Sequence, residues 1–143
     1  MAGTSITAAI NALDAITALI DVGAAAELRI YTGTAPAYTT DAATGTLLVA
    51  FTVGPFNAAI DDTPNALAVG NPAAPFPLTE NGLADGTAGY FRITADPGGA
   101  GEADIVQGTC GVANADLLMN STSISLGIPV ILDSFDLIMP EEF

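Results

Sequence analysis

The chain has 143 residues, with sixteen Asp and Glu against two Arg, no Lys and no His, so its formal net charge is -14. Without imidazole no side chain has an ordinary pKa near neutrality, and without Lys there is neither a Schiff-base amine nor a phosphate-loop cation. So acidic a surface repels a phosphate backbone, and no nucleic-acid partner is expected.

Ile6, Ile10, Leu13, Ile16 or Thr17, and Ile20 recur at intervals of three and four, which predicts an amphipathic helix over Ser5–Val22. Thr4 or Ser5 suits its N-cap and Gly23 its stop, so residues 1–23 read as an N-terminal helix or arm. Asp14 and Asp21 fall in the later half, where the helix dipole costs a few tenths of a kcal/mol or so. The apolar stripe suits packing on the chain's own sheet, with docking on another subunit as the alternative.

Residues 24–143 change character and read as a single β domain of short runs separated by Gly, Pro, Asn and Asp. The strands expected are Leu28–Thr32, Thr46–Val53, Ala66–Val69, Ala88–Thr94, Ala103–Gln107, Leu117–Met119 and a long terminal stretch, Pro129–Met139. Alternation sets Phe91 and Ile93 on one face and Arg92 on the other, and sets Phe135, Leu137 and Met139 opposite Ser134, Asp136 and Ile138. Between them, Phe56–Leu83 carries Pro64, Pro72, Pro75 and Pro77 and reads as a long surface connection, part of a Pro-rich stretch around 54–83. Its rings Phe56 and Phe76 either anchor a partner or fold back on the core. The expected architecture is mainly β: an antiparallel β-sandwich, jelly-roll-like, with one N-terminal amphipathic α-helix.

Few chemical motifs survive inspection. Cys110 has no second thiol to pair with, and a Cys/His zinc site is impossible, so it reads as a small buried apolar residue. Asp96, Glu102 and Asp104, in DPGGAGEAD, could offer oxygens to Ca²⁺, although the spacing is not an EF-hand and a hairpin turn with solvated acids explains it as well. Asn120-Ser121-Thr122 is polar turn chemistry, and no Asp-Thr-Gly or Asp-Ser-Gly tripeptide marks an aspartic protease. Asp61 and Asp62 would point to opposite faces of an extended segment and make no ready dyad. A glycosidase needs only two carboxylates, but a chain with no Trp and few aromatics lacks the usual sugar platforms. The expectation is no catalytic, cofactor-binding or metal site: not an enzyme.

The first twenty residues have no basic region, and the apolar run Leu47–Phe51 has five residues, so neither a leader nor a membrane span is expected. Ala2 offers no myristoyl acceptor.

The segments Arg29–Pro36 (RIYTGTAP), Asp41–Phe51 (DAATGTLLVAF), Gly89–Thr94 (GYFRIT), Gln107–Thr109 and Asn120–Leu137 (NSTSISLGIPVILDSFDL) resemble a recurrent pattern in small virion-associated proteins of phages and prophages. The resemblance covers most of the chain apart from roughly Gly54 to Leu83, and its motifs are structural rather than chemical. It implies a virion component. By analogy of size and composition the nearest role is a capsid decoration, or cement, protein on the capsid exterior, with the major capsid protein and copies of itself, as a dimer or trimer, for partners. A neck or tail component and a Ca²⁺-dependent binding module are the alternatives.

Overall fold

The computed structural model describes residues 5–23, 25–62 and 67–140. One helix, α1 (Ile6–Ile20), precedes eleven strands among these residues: β1 (Glu27–Thr32), β2 (Leu47–Thr52), β3 (Ile60–Asp62), β4 (Leu67–Gly70), β5 (Leu78–Asn81), β6 (Gly86–Ala95), β7 (Ala103–Gly111), β8 (Leu117–Leu118), β9 (Ser123–Ile124), β10 (Pro129–Leu132) and β11 (Leu137–Pro140). The fold is mainly β and sandwich-like, with the helix at its N-terminal end.

The main sheet runs β2-β1-β6-β7-β8, with β9 pairing the start of β6. Leu28 opposes Phe51 and Ile93, and Ile30 opposes Val49 and Phe91, so one face carries an unbroken apolar layer. That layer packs against Leu132, Phe135, Leu78 and the C-terminal end of the helix at Ile20. Phe135 meets Phe91 edge-on, centroids 6.0 Å apart at 81°, a preferred geometry for aromatic quadrupoles. Two smaller sheets complete the body, β10-β5 and β11-β4-β3.

Ser5 caps the helix, its Oγ accepting from the Ala8 N–H, and Gly23 follows at φ 77°; Thr4 lies outside the described residues. Ala9 and Leu13 bury against Ala68 of β4, so the stripe packs on the chain's own sheet. Asp14 and Asp21 have a use the sequence did not suggest. Asp14 Oδ1 accepts from the Ala59 N–H at 2.7 Å and Asp21 Oδ2 from the Phe56 N–H at 3.0 Å, which pins the following connection to the helix.

Two expectations need correction. The stretch from Phe56 to Leu83 is not a plain connection: it contains β3, β4 and β5, and β4 is the central strand of its small sheet. Pro64 and Ala66 lie outside the described residues, whereas Pro72 and Pro77 sit beside short strands without interrupting them. Of the two alternatives for Phe56 and Phe76, folding back is the one seen: both are half-buried against the main core. The terminal stretch is two strands, because Asp133–Asp136 turns the chain from β5 to β4 as partner while driving Phe135 inward. Its face pattern is as read, with Phe135 buried, Leu137 and Met139 half-buried and Ile138 exposed.

Candidate functional site

The two faces of the main sheet differ in kind. On the outer face Arg29 and Arg92, the chain's two basic side chains, are direct cross-strand neighbours. Like charges so placed repel, and carboxylates resolve the conflict. Arg29 pairs with Glu27 at 2.8 Å and Glu102 at 3.6 Å, and Arg92 pairs with Asp104 at 2.6 Å. Burial draws the Arg29 pKa down, but the hydrogen bond and charge of Glu27 outweigh it and the net direction is upward.

Arg92 is fully buried because residues 33–46 fold over it as a cap. Its Nη1 donates to the carbonyls of Asp41 and Thr39 and its Nη2 to that of Tyr38. Tyr90 Oη donates to the Thr44 carbonyl at 2.6 Å and accepts from the Thr44 N–H, and Gln107 Nε2 donates to the Pro36 carbonyl. Tyr31 stacks on Tyr90 at 5.1 Å. Gly89 admits the cap at its start: a Cβ there would collide with the backbone carbonyl of Gly33. Residues 33–46 thus form a cap held by side chains of β6 and β7.

The candidate Ca²⁺ ligands are committed elsewhere. Asp96, at φ 47°, closes the hairpin by accepting from the Gly101 N–H, and Glu102 accepts from the Gly98 N–H as well as pairing with Arg29. Asp104 gives one oxygen to Arg92 and the other to the Thr94 hydroxyl. Glu102 and Asp104 line a shallow recess with Asp41, but Asp96 is not part of it. Among the described residues no group of three or more His, Cys, Asp or Glu is placed to hold a metal ion. Asp61 and Asp62 lie on β3, outside both recesses. Cys110 is half-buried on β7, and burial, with Asp116 adding to it, pushes its thiol up to about 12. Among the described residues no helix is long and apolar enough to cross a membrane.

The larger recess lies elsewhere, as a slot of about 430 Å³ between Leu117–Ser121 and Pro129–Ser134. Ile30 and Phe51 of the main sheet form part of its lining, together with Leu132 and Ile124. Leu118 and Ile131, at its lips, are 66% and 60% exposed. Leu83, Leu126 and Ile128 are exposed as well, where the Gly82 N–H donates to the Ile128 carbonyl and Gly82 bridges Leu126. Large apolar side chains clustered on an acidic surface are the mark of a contact region. The sequence indicates the strands on either side but not the slot, since no local pattern signals that two distant segments leave a space between them. Comparison with family models, curated proteins and solved structures finds no match for this chain.

Proposed function

We propose that the chain is a phage virion structural protein, a head decoration or cement protein bound to the outside of the major capsid protein lattice. The observation that carries this reading is the set of exposed large apolar side chains, Leu118 and Ile131 at the slot with Leu83, Leu126 and Ile128 elsewhere on the surface, on a chain whose two guanidinium groups are turned to its own carboxylates. Such a surface suits contact with another protein and not with a polyanion. The resemblance of the cap and central strands to small virion proteins supplies the setting.

A lattice component needs only a modest interface per copy, because bridging neighbouring capsid subunits raises effective concentration without new chemistry. Self-association at a capsid symmetry axis would give a closed dimer or trimer. Repulsion between acidic copies is screened beyond about 8 Å at physiological salt. Quantitative mass spectrometry and electron cryomicroscopy of purified particles test the reading. Tens to hundreds of copies on the capsid exterior are expected; a few copies confined to the neck or tail would overturn it.

A further inference from the structure

The cap is fastened to the sheet by hydrogen bonds rather than by apolar packing. Residues 33–46 contribute no side chain to either apolar core cluster, whereas the carbonyls of Pro36, Tyr38, Thr39 and Asp41 accept from Gln107 and Arg92 of the sheet below. Beneath this roof two atoms have no partner within the protein. They are Arg92 Nε, a donor, and Gln107 Oε1, an acceptor, and both are shielded from solvent. Arg92 and Gln107 are direct partners across β6 and β7, so their side chains leave the outer face side by side. The nitrogen of the amide fixes where its oxygen lies: Gln107 Nε2 donates to the Pro36 carbonyl at 2.8 Å, and turning the amide over would set oxygen against oxygen.

A buried donor and a buried acceptor left unsatisfied cost more than the immobilisation of one small molecule between them. The two atoms also limit what that molecule is. A cation cannot accept from the Nε–H, and an anion cannot donate to Oε1, so the site requires a neutral group that does both. We propose that one water molecule, cut off from bulk solvent, accepts from Arg92 Nε and donates to Gln107 Oε1, and that the cap must lift for it to exchange. Polar surroundings are what hold an internal water, where an apolar void stays dry. Its second hydrogen is offered to the carbonyls of the roof, each of which has a further lone pair. The water thereby ties β6 and β7 to the underside of the cap. The inference stands on the cap alone and does not depend on the decoration reading.

Magnetic relaxation dispersion of the water oxygen, measured on the full-length chain, tests this together with a high-resolution crystal structure. The wild type should show a long-lived internal water whose contribution disappears in Gln107→Met, a change that keeps the length of the side chain and removes the acceptor. Tyr90→Phe leaves both ligands of the water in place and takes away the hydrogen bonds to Thr44. It should keep the water and shorten its residence time about tenfold, the factor set by losing hydrogen bonds of ordinary strength. If Gln107→Met does not fold, the wild-type crystal decides, with an ordered water expected within about 3.2 Å of both atoms. A dispersion amplitude indifferent to Gln107→Met would overturn the proposal. So would density in which Nε and Oε1 touch each other directly, or in which an ion lies between them. A residence time equal in the wild type and Tyr90→Phe would remove the cap as the barrier to exchange.

Discussion

Arg92 shows how one side chain can decide whether a surface exists. Its guanidinium holds Asp104 and three carbonyls of the 33–46 cap while fully out of water. Removing one partner of a buried pair costs far more than the pair contributes. Arg92→Ala should therefore lower stability by about 3 kcal/mol or more, read as a shifted urea midpoint, and Arg92→Lys should not restore it because an ammonium lacks the planar fork. Equal midpoints for wild type and Arg92→Ala would contradict this account. Alkaline pH acts through two other groups. Burial raises the Cys110 thiol to about 12 and raises the Tyr31 hydroxyl above its usual 10.0. The unfolded chain releases these protons near their ordinary values while the folded chain keeps them. Their contribution is complete below about pH 9 and declines as pH rises toward 12. Urea midpoints at pH 8 and pH 10.5 should show the loss, and Cys110→Ala should reduce it. At neutral pH the native thiol should alkylate about a thousand-fold more slowly than an ordinary one, matching its thiolate fraction, and at the usual rate in denaturant.

At the scale of elements, the helix is part of the core and not a detachable arm. It buries Ala9, Leu13, Thr17 and Ile20, and its Asp14 and Asp21 hold the next connection in place. Leu13→Ala should cost about 2–5 kcal/mol, and Asp14→Ala about 1–2 kcal/mol by stranding the Ala59 N–H. Deletion of residues 1–22 should yield a chain that lacks native near-ultraviolet dichroism and binds apolar dyes; a cooperatively folding remnant would refute this. The helix and β1, β2 and β6 were legible because burial imposes a period that Ile10, Leu13, Ile93 and Phe91 all record. β3, β5 and β9 were not, because Ile60–Asp62, Leu78–Asn81 and Ser123–Ile124 are short, largely exposed and fixed by their partners more than by any face. Cys110 reads from the sequence as a small buried apolar residue and is half-buried on β7. The burial of Arg92 was not legible, since alternation places a residue on a face and says nothing of a loop that later covers it.

Over the whole molecule, acidic charge and exposed apolar side chains share one surface. The formal net charge of -14 makes the exterior repulsive to further acidic copies, and large apolar side chains are exposed within it, Leu118 and Ile131 at the slot among them. Binding through the slot region should be limited by apolar burial, with the acidic surface acting on the rate of approach. Raising salt from about 50 to 500 mM, where the Debye length contracts to a few ångströms, should slow association without stripping bound copies from particles. Occupancy falling in proportion to ionic strength would contradict this.

The cap over Arg92 also has a history in time. Its anchors, Tyr90, Arg92 and Gln107, lie 46 to 71 residues beyond the carbonyls and amides they hold. Residues 33–46 cannot be fastened until β6 and β7 have been synthesised and paired, and closing so long a loop is entropically slow. The cap should thus be a late event in folding and the first part to open. Substitution of Arg92 should then speed unfolding and leave the refolding rate nearly unchanged, a split that stopped-flow chevrons resolve.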